Sequence, residues 1–226
     1  MQIFQNLSNK LLISTPVLNN DKYFAKAIVY ILINDQVTGS LGLIVNSIEQ
    51  NATVDYSTPN LDETFKTDES EYQFHDNIDY HPFQQTEQKK YKVTVRIGGP
   101  CSNSLLLLHT NDHLPPSSLL QTQSAKLSYN REITHHLEAP SLSKINVLYH
   151  FIKDNKWPSH YFAISGFSIW ALGQLENEIK NNYWVLQDFC MDTVFGKGTR
   201  EQRWEEAITK NFNYHDKVLL TTNFLA

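Results

Sequence analysis

Apolar positions along this chain fall into short runs, rich in β-branched and aromatic residues and separated by turn-formers. Leu11-Leu12-Ile13 is the first run and Pro16 stops it. Phe24 to Ile33 is then apolar almost throughout, and the β-branched content of Ile28 to Ile33 predicts a strand buried on both faces. Asn34 to Gly39 supplies turn residues before Leu41-Gly42-Leu43-Ile44-Val45 returns, which predicts a hairpin with a longer loop. Further on, Tyr91, Val93, Val95 and Ile97 alternate with Lys92, Thr94 and Arg96, the period of a half-buried strand, and Gly98-Gly99-Pro100 ends it. Strands are predicted at 11–15, 27–34, 41–46, 91–97, 105–109 and 161–166, with a weaker one through Ile133.

Three segments change to the helical period. From Pro140-Ser141, the positions Leu142, Ile145, Leu148 and Ile152 make one helix face, closed by Trp157-Pro158. Leu172, Leu175 and Ile179 mark a face of the next helix. Thr199-Arg200-Glu201-Gln202 has the spacing of a capping box and opens a helix that buries Trp204, Ala207, Ile208 and Phe212. Strands and helices interleave irregularly, so the pattern predicts an α+β fold rather than a strict βαβ series. The expectation is one compact domain over 1–226, with a mixed sheet or small β-barrel core and flanking helices.

Residues 47–90 break the pattern. The stretch 49–90 holds ten acidic and three basic residues, −7 in all, against +2 for the rest of the chain. The lack of period there predicts a solvated, mobile acidic insertion or long loop at about 48–90. Outside it the chain is close to neutral and has no Lys/Arg cluster, so direct nucleic-acid binding is not expected. No apolar run approaches the roughly 20 residues of a membrane-spanning helix. A polar N-terminus without a charged start and apolar stretch makes the cytoplasm the expected address. The two cysteines, Cys101 and Cys190, are expected to be free thiols in that compartment.

Candidate chemistry is sparse. Gly98-Gly99-Pro100 has too few glycines for a phosphate loop and reads as a tight turn. His109 and His113 have the i, i+4 spacing of a helical zinc pair, but they follow an all-leucine strand and precede Pro115-Pro116. His135-His136 offers no third ligand, and Cys101 has no identifiable electropositive setting. No metal, cofactor or catalytic residue is therefore expected. If a helix begins near Gly173, Gln174 and Glu176 lie in its first turn, where an acid opposes the dipole and satisfies free N–H groups. Beside Trp170 they form either a small polar site or a lock on the helix start.

Three blocks together carry a family resemblance: Leu12 to Pro16 through Gly42 to Asn46, then Ile97-Gly98-Gly99-Pro100, then Gly166 through Trp170 to Gly173-Gln174-Leu175-Glu176. In order and spacing they resemble the YqgE/AlgH family of bacterial proteins, with Glu178, Trp184, Trp204 and Ala207 matching further on. Ser47, Cys101 and Ile169 depart from the residues usual in that family. The resemblance implies a compact α+β fold with a small β-barrel, and a bacterial cytoplasmic protein. It implies no established reaction, although some members have been labelled transcriptional regulators. The matching positions Asn46, Gly98, Gly99, His109, Trp170, Gln174 and Glu176 are the candidate surface for a ligand or partner. The expected function is a non-catalytic regulatory or interaction protein acting through an unidentified protein or small molecule, without a membrane. The alternatives are a transcriptional regulator and an enzyme with a site near Gly99, His109 and Gln174.

Overall fold

The computed structural model describes residues 6–55, 83–85, 90–112, 140–144, 151 and 156–210. They form ten strands, three α-helices and a single 3-10 turn at Pro16–Leu18, an α+β fold. The strands are β1 (Lys10–Ser14), β2 (Ile28–Asp35), β3 (Gly39–Ile44), β4 (Glu49–Asp55), β5 (Phe83–Gln85), β6 (Lys90–Ile97), β7 (Cys101–His109), β8 (Ser141–Lys144), β9 (Tyr161–Trp170) and β10 (Trp184–Asp188). The helices are α1 (Gln174–Lys180), α2 (Met191–Phe195) and α3 (Arg200–Lys210). Contacts divide the chain into two compact units, neither continuous in sequence. One comprises Met1–Ile48, Gly98–Cys101 and Phe167–Ala226, the other Glu49–Ile97 and Ser102–Gly166.

In the first unit the strand order is β10-β1-β2-β3-β9, every neighbour antiparallel. The expected β2–β3 hairpin forms, but its loop is short, with Asp35 facing Gly39 across three residues. Asp35 Oδ1 closes the turn by accepting from the backbone N–H groups of Val37 and Thr38. Leu12, Val29, Ile31, Ile44, Trp170, Leu175 and Trp184 are buried in one cluster, against which Phe24 and Ile179 pack. Each such side chain removed from water contributes about 1.5–3 kcal/mol, which is what selects this register.

Helix α3 begins as its spacing predicts. Thr199 Oγ1 accepts from Gln202 N at 3.2 Å, and Gln202 Oε1 accepts from Thr199 N at 3.0 Å. Its inward face is Trp204, Ala207 and Ile208, together with a buried Arg203 that hydrophobic periodicity does not find. Trp204 Nε1 donates to Ser14 O at 2.7 Å, tying α3 to β1. Phe212, the weaker strand at Ile133 and the His113 and His135-His136 positions lie outside the described residues.

In the second unit β6 pairs antiparallel with β4 and β5 and parallel with β9, through Val95↔Ala163, Arg96↔Ile164 and Ile97↔Ser165. Two expectations are corrected here. Ser141–Lys144 is not the first turn of a helix but strand β8, in register with β7 from Leu106↔Lys144 to His109↔Ser141. Four residues cannot distinguish the two periods, and pairing with the buried Leu105–Leu108 run decides the outcome. The acidic stretch also has sheet backbone, β4 and β5, where no element was expected. Strand β10 has no counterpart among the predicted strands, and β9 runs four residues beyond the predicted 161–166.

Candidate functional site

Helix α1 starts from Gly173, whose φ of 75° is left-handed and accessible to glycine without strain. Gln174 Oε1 accepts from Ala171 N at 3.0 Å, and Gln174 Nε2 donates to Glu178 Oε1 at 2.9 Å. The other oxygen of Glu178 accepts from two indoles, Trp170 Nε1 at 2.9 Å and Trp184 Nε1 at 2.8 Å. Both tryptophans are buried, edge to face at 6.2 Å, with Phe24 against each. One carboxylate thus satisfies two indole N–H groups that have left water. Glu176 reaches a different partner, accepting at 3.1 Å from Asn34 Nδ2, which also donates to Ser40 Oγ at 2.8 Å. Leu172, expected on the buried face of α1, is instead exposed at the corner before the helix.

Gly98 and Gly99 pack on β9. Gly98 O accepts from Ile44 N at 2.8 Å, and a side chain at Gly99 would stand 2.4 Å from the Phe167 carbonyl carbon. The turn is therefore a close backbone approach. His109 belongs to the other unit, where it is fully buried at the end of β7. Its Nδ1 lies 2.9 Å from Thr110 O, which can only accept, so Nδ1 carries a proton, and its Nε2 lies 2.9 Å from Ser143 Oγ. Nearby, burial raises the Asp112 carboxyl, but hydrogen bonds from Ser159 and Thr110 outweigh it and hold that group below the usual carboxylate range.

Asn46, buried at the end of β3, makes the most informative set of contacts. Its Oδ1 accepts from Ile28 N at 2.7 Å, while Nδ2 donates to Lys26 O at 2.9 Å and Arg200 O at 3.1 Å. Those two carbonyls belong to residues lining a surface cleft of about 410 Å³, together with Asn19, Ala25 and Glu201. Lys26 has a φ of 52°. Asn9, Ser102 and Asn182 also have positive φ; asparagine adopts that region readily, whereas a lysine there costs about 1–2 kcal/mol. The surroundings enforce it: Asn46 holds the Lys26 carbonyl, which also accepts from Arg200 Nε at 3.4 Å, and Arg200 Nη2 donates to Tyr23 O. Lys26 Nζ pairs with Glu201 and lies 5.8 Å from the centre of the Trp204 ring. Burial draws the Arg200 pKa below the ordinary arginine value while Asp21 opposes the shift, and the guanidinium stays charged.

Of the sequence candidates, Trp170 and Gln174 meet at Glu178, whereas Asn46 makes its contacts with Lys26 and Arg200. Sequence reasoning missed Lys26, Arg200 and Glu201. One signal was present: Lys26 is the single charge in an otherwise apolar run from Phe24 to Ile33. Replacing Asn46 by aspartate should cost roughly 3 kcal/mol, because a carboxylate oxygen would face two carbonyls where an N–H₂ now donates. A urea midpoint unchanged from the native chain would show that Asn46 does not hold the cleft.

These features define an α+β protein with a charged surface cleft and, among the described residues, no group of three or more His, Cys, Asp or Glu side chains placed to hold a metal. The chain belongs to the AlgH-like family (DUF179), whose model matches residues 11–213. A UPF0301 protein of Francisella tularensis subsp. mediasiatica is 26% identical over 204 residues, 90% of this chain and 88% of its own. One from Francisella philomiragia is 25% identical over 207 residues, 91% of this chain and 90% of its own. The solution structure of the AlgH protein from Pseudomonas aeruginosa shares the fold, with a TM-score of 0.52 at 19% identity over 98% of this chain and 97% of that one. A crystal structure of a Corynebacterium diphtheriae protein does so as well, with a TM-score of 0.54 at 16% identity over 95% and 92%. Among the described residues no helix is long and apolar enough to cross a membrane.

Proposed function

We propose that this AlgH-like protein is a non-catalytic regulatory or interaction protein of the cytoplasm, which binds a small polar molecule at the cleft of Lys26, Arg200 and Glu201. The observation that carries this reading is the left-handed backbone of Lys26, a lysine held at the cleft against its own preference by a buried asparagine. Strain that the surroundings maintain concentrates where a site needs it. Trp170, Gln174 and Glu176 serve the same reading as framework, since their polar groups are engaged with Glu178, Ala171 and Asn34.

A second reading, an enzyme, draws on Ser143 and His109, because a serine hydroxyl 2.9 Å from an imidazole nitrogen has the spacing of an activated nucleophile and its base. Burial of both weighs against it.

The test is a thermal-shift screen of a fragment library against the native chain and Lys26→Gly. Hits are expected that vanish in the variant, while its own melting point stays within about 3 °C, because glycine relieves the strain as it removes the cation. Hits that persist unchanged in Lys26→Gly would refute the cleft. Covalent labelling of Ser143 by a fluorophosphonate would favour the enzyme, and salt-dependent gel shifts would favour the transcriptional regulator.

A further inference from the structure

We infer that residues 19–26 form an ionic strap, clasped across the cleft to the first turn of α3 by crossed charges and released as ionic strength rises. This goes beyond the binding reading above and does not depend on what the cleft takes up. The strap carries Asp21, Lys22 and Lys26, and the helix start carries Arg200 and Glu201. Lys26 Nζ pairs with Glu201, and Asp21 acts through its charge on Arg200. Each cation of the cleft thus faces a carboxylate on the opposite element, so the charges hold the two elements to each other. Lys22 takes no part, since its ammonium lies over the Tyr23 ring, 5.3 Å from the centre.

The strap itself is a run of turns in which no residue is buried, although Tyr23 and Phe24 rest against the core cluster. Asp21 Oδ1 accepts from Tyr23 N and Phe24 N at 2.8 Å each, and Asp21 O accepts from Ala25 N at 3.3 Å. A turn this short does not hold its shape alone in water, so its order depends on its ties to α3 and Asn46. Arg200 donates to Tyr23 O and Lys26 O, and Asn46 to Lys26 O. Strain opposes these ties, because the left-handed Lys26 backbone relaxes once its carbonyl is let go. The cleft of about 410 Å³ keeps strap and helix from close packing there. Charge is the adjustable part of this balance. The Lys26 and Glu201 side chains are 35% and 56% exposed, and the screening length falls from about 10 Å at 0.1 M salt to about 3 Å at 1 M.

The experiment is amide hydrogen exchange of the full chain, read by NMR at 0.05 and 1 M sodium chloride and expressed as protection factors. It is repeated on the double variant Asp21→Asn, Glu201→Gln. The new asparagine oxygen still accepts from the Tyr23 and Phe24 amides, so the turn is kept while its charge is lost. In the native chain, salt is expected to lower protection at Tyr23, Phe24 and Ala25 by roughly fivefold, with Val29 and Tyr30 of β2 unchanged. In the double variant Lys26 and Arg200 face each other uncompensated. Those three amides should then be about fivefold less protected at low salt, and salt should restore protection by roughly twofold as it screens the repulsion. A purely structural turn would show neither the salt response nor its reversal.

Native protection that stays within about 1.5-fold across the salt range, or rises with salt, would overturn the strap. So would a loss of protection shared equally by β2, which marks general destabilisation. A double variant protected like the native chain at low salt would overturn it too. Should that variant not fold, the native salt series decides alone. None of these outcomes bears on the binding reading, which stands or falls with the fragment screen.

Discussion

Replacing Glu178 by alanine is expected to lower the melting temperature by roughly 6–20 °C, the equivalent of about 3–5 kcal/mol in a chain of this size. The side chain contributes no core packing, so the loss comes from the donors it leaves behind. Trp170 and Trp184 are buried and aim both indole N–H groups at one oxygen, 2.9 and 2.8 Å away. A buried donor without a partner costs about 1–3 kcal/mol, and two are orphaned together. Glu178→Gln should lie between, at about 1–2 kcal/mol. Its amide oxygen can still accept from the indoles, but its NH₂ then meets the NH₂ of Gln174. Flipping Gln174 only moves the conflict to Ala171 N. Tryptophan emission should shift red in the alanine variant as water reaches the indoles. A Glu178→Ala chain that melts within about 2 °C of the native one, with unchanged emission, would show that the clamp is dispensable.

The second large effect is expected at Gly99. An alanine there would place its methyl 2.3 Å from Ser168 Oγ, 2.4 Å from Phe167 C and 2.5 Å from Phe167 O. The serine hydroxyl can rotate away, but the β9 backbone cannot, because it is paired with β3 at Ser40↔Trp170, Leu41↔Ile169 and Gly42↔Ser168. Gly99→Ala should therefore cost more than about 4 kcal/mol and recover mostly insoluble protein. Gly173→Ala is the internal control. Its φ of 75° is also positive, yet a methyl there meets nothing within 4 Å. Only the left-handed preference is lost, about 1–2 kcal/mol. Comparable urea midpoints for the two variants would mean that conformation, not close approach, explains the Gly99 position.

Local patterns in the chain were sufficient for much of this architecture. The strands at β1, β2, β3 and β6 were legible because each buries a run or an alternating face, and burial leaves its record in residue type. The capping box at Thr199 was legible because both partners lie within four residues of each other. The family blocks around Pro16, Gly99 and Trp170 were legible from order and spacing. What lay beyond reach involved partners far away in sequence. Ser141–Lys144 takes the conformation its pairing with β7 imposes, and Leu142 suits a strand as well as a helix. Lys26, Arg200 and Glu201 meet across more than 170 positions because Asn46 donates to two carbonyls, and main-chain oxygens carry no sequence signature. Gln174 and Glu176 looked alike as first-turn polar residues, yet one faces Glu178 and the other Asn34. The chain alone determined where its most apolar strands lie and how α3 begins. Only tertiary structure decided which polar groups far apart in sequence meet, because such a side-chain hydrogen bond depends on directions in space that no periodicity encodes.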